Sequence, residues 1–442
     1  MKKHCTVLPA ILLVTAFLSV SAQTNNAQLS HWPQWRGPDF NGMARSDAPL
    51  KWSDTENVKW KAAIPGRGFS TPIVWGEKIF LTTAIPTGKT GNQPSDGRHP
   101  NGGAGANQEQ QFVVMCLEKK SGKVLWQKTA KTAVPHEGYH RMYGSHASNA
   151  PVTDGKNVYA FFGSRGVYCY DLDGKLIWEK DLGVKMRMRN EFGEGTAAVV
   201  HGDTLILNFD QESDSFIVTL DKHTGKELWR KKRDEVSAWA TPLVIEHAGR
   251  PQVVVSATGK VRSYDLSNGK VIWECAGLGL NAIPAPIYHD GVLYAMTGFR
   301  DPKLMAIKLG REGDLTGTDA VLWSETRGTS YTPSPLLHDG KLYTLTDNGQ
   351  FSCFDAKTGK PYYHRTRLPK PYNFKASPVG ANGKIYLATE EGDIVVVKMG
   401  ETFEVLATNT LEDQTFIASP VIINDEIFLR GQNTLFCISE KK

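Results

Sequence analysis

Short apolar runs and turn residues alternate along this chain in an order that recurs to its C-terminus. One copy shows the unit. Ser334-Pro335 leads into Leu336-Leu337, and Asp339-Gly340 makes a turn. The stretches Lys341–Thr346 and Gly349–Asp355 then alternate apolar and polar residues, Thr358-Gly359-Lys360 turns again, and an aromatic follows at Tyr363. Alternation with period two is the mark of half-buried strands. Asp-Gly, Asn-Gly and Thr-Gly supply the positive φ of tight hairpins. A unit of about 40 to 50 residues holding four short strands is a propeller blade. No sustained helical stripe of apolar residues follows residue 22.

The small-Pro start of the inner strand recurs near Thr71-Pro72, Ala150-Pro151, Thr196-Ala197, Thr241-Pro242, Ala285-Pro286, Ser334-Pro335, Ser377-Pro378 and Ser419-Pro420. An outer-strand aromatic stands at Trp126, Trp178, Trp229, Trp273, Trp323 and Tyr363. The last copy ends at Ser439 with no outer strand of its own, but Asn57–Lys61, with Trp60, has the missing pattern. The expected fold is therefore all-β: an eight-bladed β-propeller of four-stranded blades, closed by an N-terminal strand. Closure of this kind removes free sheet edges. Six of the eleven tryptophans fall in the outer column, where a large flat ring can fill the wedge between blades.

Three segments stand apart from the repeat. Residues 1–22 read as a signal peptide: Lys2-Lys3, an apolar run from Leu8 to Val20, then Ser21-Ala22. The apolar run is too short for a membrane span. Residues 23–56 form an N-terminal arm carrying Trp32-Pro33-Gln34-Trp35-Arg36-Gly37-Pro38, and 57–442 form the propeller. Residues 85–111 and 310–319 read as insertions, the first as a mobile loop. Removal of Lys2 and Lys3 lowers the formal charge from +5 to +3, too weak a bias to argue for nucleic acid. Export places the protein in the periplasm or outside the cell, and it is expected to be a monomer. Cys116, Cys169, Cys353 and Cys437 share one column of the repeat, filled elsewhere by Thr219, Ser263, Ala306 and Val396. Small occupants throughout mark a tight buried spot in which cysteine acts as a small hydrophobe.

The Asp-Gly and Thr-Gly turns occupy one face and are uniform. The irregular sequence occupies the other: His136–Asn149, Phe162–Gly166, Val184–Gly195, Asp210–Ser215, Trp239, Phe299-Arg300, Tyr331 and Tyr372. Function concentrates in such loops. His136-Glu137-Gly138-Tyr139-His140 matches the zinc-protease string, with His146 as a third candidate metal ligand. That chemistry needs a helix, and Pro135 and Gly138 oppose one. The segment remains a candidate metal or ligand site, or a hydrogen-bonded loop. Asp210, Glu212 and Asp214 have the alternate spacing of a calcium loop without its glycine and distal glutamate. Together, His136, Glu137, His140, Arg165, Arg189, Asp210 and Glu212 form the candidate ligand-binding set.

Trp32–Pro38, Phe162–Gly174 and the Asp-x-x-Thr-Gly-Lys-x-x-Trp units resemble the bacterial pyrroloquinoline-quinone (PQQ)-like propeller repeat proteins over the whole mature chain. The resemblance implies either of two activities: quinone-dependent alcohol dehydrogenase, with calcium-bound PQQ beside an adjacent Cys-Cys pair, or non-enzymatic outer-membrane assembly. This chain has no adjacent cysteines and no lipidated Cys after its leader. The expectation is a binding or interaction module with an unknown partner and cofactor. The alternative is a quinone- or metal-dependent oxidoreductase using the irregular face.

Overall fold

The computed structural model describes Met1, residues 31–91 and residues 99–440. The expected leader, residues 1–22, lies outside the described residues except for Met1, and so do residues 23–30 of the arm. Eight antiparallel sheets follow one another along the chain, each a meander of four strands, and two of them carry one strand more. The helical turns among the described residues are two short 3-10 turns, Gly163–Arg165 and Arg189–Glu191. No described helix is long and apolar enough to cross a membrane.

Each blade buries its middle strands, and every blade but the fourth exposes its outer one. In blade 2, Asn157–Phe161 and Val167–Asp171 are buried almost throughout, whereas Leu176–Lys180 alternates toward solvent. The middle strands are covered on both faces by neighbouring blades, so the small polar residues that alternate along them, such as Thr344 and Ser352, are buried with the apolar ones. Blade 8 is completed by Val58–Ala63, which pairs antiparallel with Thr434–Ser439; Trp60 lies opposite Cys437 and Ala63 opposite Thr434. The circle is closed by an N-terminal strand, as the sequence pattern implies.

The outer tryptophans join the blades. The indole N–H of Trp126 donates to Leu172 O at 3.1 Å, that of Trp178 to Lys222 O at 2.9 Å, and that of Trp229 to Leu266 O at 2.8 Å. Each acceptor belongs to the next blade. Trp60 reaches Lys119 O in the same way at 3.0 Å, which fastens blade 8 to blade 1. The rings lie on the glycine of the turn between the third and fourth strands of the neighbour. A Cβ on Gly225, at φ +70°, would stand 2.7 Å from the Trp178 ring. The turn therefore needs glycine for both its conformation and its contact. Trp273 is the exception. Blade 5 replaces that turn with its insertion, whose residues Gly313–Asp314 pair parallel with Trp273–Glu274. Leu315 joins the same apolar cluster, and Trp273 is only 1% exposed.

The long insertion differs from its sequence reading. Lys78–Thr90 and Gln108–Glu118 are strands that run far into it, with Ile85 opposite Gln111 and Thr90 opposite Gln108. A backbone ladder holds this hairpin clear of the core, so its composition carried no apolar signal. Residues 99–107 then lie against blades 2 and 3: Ala104 bridges Tyr139, and Gly103 N donates to Glu191 O at 3.2 Å.

Candidate functional site

The start of every inner strand turns toward the propeller axis. There the small residues before the prolines form part of a hydrogen-bonded hoop. Ser334 N donates to Ser377 Oγ at 2.9 Å, Ser377 N to Ser419 Oγ at 3.0 Å, and Ser419 N to Thr71 Oγ1 at 3.2 Å. Ala285 N donates to Ser334 Oγ, and Ala197 N to Thr241 Oγ1. Each bond crosses from one blade to the next. The hydroxyl supplies the acceptor that each of these buried N–H groups needs.

The arm plugs the axis. His31–Trp32 pairs with Val74–Trp75 of blade 1, and Thr153 N of blade 2 donates to Pro33 O at 2.9 Å. Arg36 is fully buried and donates to Pro378 O at 2.9 Å and Pro335 O at 2.7 Å. Gly42 and Ala44 bond Gly380 of blade 7. Above this plug, on the irregular face, lies a cavity of about 210 Å³. Trp35 of the arm is part of its lining, together with Thr71, Ala150, Ala197, Thr241, Ser377 and Ser419 from the strand starts. Aromatic walls come from Phe69, Tyr143, Phe192, Trp239 and Tyr331, and the polar groups His140, Glu194 and Lys375 complete it.

These walls are fixed by their own bonds. Trp239 donates its indole N–H to Gly193 O at 2.7 Å. The His140 ring stacks on Tyr143 at 3.6 Å between centroids and meets the Phe192 edge at 4.8 Å. Burial, with help from His99 and Lys375, lowers the His140 pKa to about 4, so the ring is neutral at pH 7. Lys375 lies over Tyr143 and bridges Asp347 at 3.0 Å and Glu390 at 3.1 Å. Burial works against its charge, but the two carboxylates outweigh burial and raise its pKa. Glu194 accepts from Ser164 N at 2.6 Å and Ser164 Oγ at 2.7 Å, and burial raises its pKa. The indole Nε1 of Trp35 is buried and has no hydrogen-bond partner among the described residues.

Of the seven sequence candidates, His140 lines this cavity. His136 and Arg165 stand behind the wall: His136 Nε2 donates to Met186 O at 2.7 Å, and its Nδ1 accepts from Arg165 at 2.7 Å. Those bonds fix a neutral tautomer, and burial takes the pKa to about 4. Glu137 accepts from Met188 N at 2.8 Å. Glu137, Arg165, His146 and Glu194 line a second cavity of about 20 Å³, room for one water. Arg189 pairs with Glu212 at 3.1 Å. Asp210 is drawn inside instead, into an ion pair with Arg233 at 2.6 Å in which both side chains are 0% exposed. The candidate metal trio His136, His140 and His146 is not assembled as a ligand set. His146 Nε2 bonds Gly105 O at 3.3 Å, and no cluster of three or more His, Cys, Asp or Glu able to hold a metal is found among the described residues.

Sequence reasoning placed Trp239, Tyr331 and the segments containing Tyr143 and Phe192 on the irregular face without making them candidates. It placed Trp35 in the arm without assigning it to that face, and it did not single out Lys375. The available signal was the small-Pro column, which marks the axis, and the hydroxyls within it.

The chain belongs to the PQQ-like propeller family described as outer membrane protein assembly factor BamB, whose profile matches residues 110–277 and 311–406. BamB of Francisella salina is 30% identical over 95 residues, 22% of this chain and 16% of that protein. The match thus spans far less than two thirds of that relative. Among solved structures, BamB from Moraxella catarrhalis superposes with a TM-score of 0.55 at 14% identity, covering 81% of this chain and 99% of that one. A europium-containing methanol dehydrogenase gives 0.66 at 10% identity, covering 95% of this chain and 100% of that one. The quinohemoprotein alcohol dehydrogenase of Comamonas testosteroni gives 0.65 at 11%, covering 95% and 82%. At these identities the likeness is one of fold.

The calcium-bound quinone implied by the sequence resemblance finds a poor fit in this cavity. The five described cysteines are free, buried and far apart in sequence. Lys375 is the one cation in the cavity lining, and two carboxylates already hold it. A carboxylate-rich quinone would have to compete with both.

Proposed function

We propose that this protein is an exported binding module, periplasmic or secreted, whose ligand enters the axial funnel from the irregular face. The observation that carries this reading is the funnel itself. Its floor is the arm, its aromatic walls are fixed by ring contacts and by the Trp239 bond to Gly193 O, and its polar groups converge from different blades. Concave, largely apolar sites with a few convergent polar groups are the usual form of ligand pockets. The Lys2–Ala22 segment supports export. Family membership supports an interaction role without naming a partner.

Crystals soaked separately in phenol, 2-propanol and glycerol test the location. The expected outcome is that at least two probes settle between Trp239 and Tyr143. Probes gathering on another surface would refute the reading. An enzymatic role is tested on the same protein by adding PQQ, Ca²⁺ and a primary alcohol. Alcohol-dependent dye reduction would replace the binding-module reading with an oxidoreductase.

A further inference from the structure

The funnel's hydrogen-bonding groups are unevenly supplied. The hydroxyls of Thr71, Thr241, Ser377 and Ser419 each accept a backbone N–H from a neighbouring blade. That use of a lone pair leaves each O–H proton to donate, and no acceptor for it is found among the described residues. The buried indole N–H of Trp35 likewise has no partner among them. The site therefore offers donors in a ring around the axis and asks for acceptors.

Its charges, by contrast, are spent. Lys375 is held by Asp347 and Glu390. Glu194 is bound by both the N–H and the O–H of Ser164. His140 is neutral at pH 7. A polyanion would have to pull Lys375 from two carboxylates. A bare hydrocarbon ring would bury the donors unsatisfied, which is costly. What remains is an uncharged ring that carries several oxygens and shows a C–H face to an aromatic plane.

Resting on the funnel as the binding site, we infer that its ligand is a neutral saccharide, entering end-on so that one terminal ring lies against Trp239 with its oxygens toward the axial hydroxyls. The arm closes the channel behind Trp35, so a glycan cannot thread through. A chain-end ring is what a blind funnel admits.

Tryptophan fluorescence and calorimetry on the full mature chain test this. The probes are methyl glycosides of glucose, galactose, mannose and N-acetylglucosamine, with cellobiose, maltose and chitobiose. At least one should bind saturably. Trp239→Ala and Thr241→Val should each weaken it by about tenfold or more, the usual loss when a buried hydrogen-bonding or stacking partner goes, in protein that keeps its β fold by circular dichroism, although each melts lower because Trp239 loses its bond to Gly193 O and Ala197 N loses its acceptor. Ser419→Ala serves as a second donor variant if Thr241→Val does not fold. Silence from all seven sugars up to about 100 mM, well above a millimolar Kd, overturns the saccharide. So does binding that ignores all three substitutions. PQQ and a short acidic aromatic peptide run in parallel. If either binds in a Trp239-dependent way while sugars do not, the funnel stands as a binding site and the saccharide falls. If nothing binds, both fall.

Discussion

Four histidines, His99, His136, His140 and His146, meet in the loops that frame the funnel, and three of them are held neutral. Burial takes His146 to about 3 and His136 and His140 to about 4. Arg165 and Lys185 near His136, and His99 and Lys375 near His140, push the same way. In the unfolded chain a histidine titrates near 6.5. Between that value and about 3, where His146 is the last to charge, the unfolded state therefore binds more protons than the folded one. The histidines' contribution to stability falls as pH drops through this window and levels off below it. Chemical denaturation from pH 7.5 to 4 should show that slope, and His136→Gln should make it shallower. Parallel slopes for the two proteins would mean that other groups set the acid sensitivity. Asp210 illustrates what local spacing cannot reveal. Its neighbours Glu212 and Asp214 suggested a shared ion, but Arg233, just past the end of the blade's outer strand, takes Asp210 inside with Tyr264 as a further partner. Removing one member of such a pair leaves a buried charge uncompensated, which is strongly destabilising.

At the scale of the strand, one column explains both the cysteines and the tryptophans. Trp126 lies opposite Cys116, Trp178 opposite Cys169 and Trp60 opposite Cys437. Each thiol lies beside the indole across the strand pair, where a larger side chain would displace a ring fastened to the next blade. All five described cysteines are free and buried, and burial raises the thiol pKa of Cys116, Cys169 and Cys353 to about 12. They should resist thiol reagents in the native protein and react fully in denaturant. Fast native labelling would refute this packing account. Cys353→Leu should cost about 1–3 kcal/mol by overpacking, measured by urea unfolding. This column was legible because every copy repeats it. The hairpin in residues 85–111 was not, since its polar strands are held by a backbone ladder that composition does not encode.

At the scale of the molecule, the N-terminus has two jobs that a deletion series can separate. Val58–Ala63 closes blade 8, and the sequence disclosed this because the final repeat lacks its outer strand. Residues 31–52 fill the axis and cross to blade 7, where Asp47 pairs with Lys384 at 2.5 Å and Trp52 N bonds Asn409 at 2.9 Å. That second job was hidden, because a Pro- and Gly-rich arm has no periodicity and its partners lie hundreds of residues away. The funnel was hidden for the same reason: its residues come from the connections into all eight blades, mostly one or two at a time, with five each from those into blades 2 and 3. A protein lacking residues 23–63 loses both jobs. It exposes the edge of Thr434–Ser439 and should aggregate. A protein lacking only 23–56 keeps the closing strand. It should keep the elution volume of the full chain, melt lower because Arg36 and its apolar neighbours no longer fill the axis, and lose binding at a funnel without a floor. Light scattering with calorimetry reads the difference. Equal aggregation of the two proteins would assign closure to the arm rather than to the strand. An unchanged melting temperature in both would leave the N-terminus with neither job.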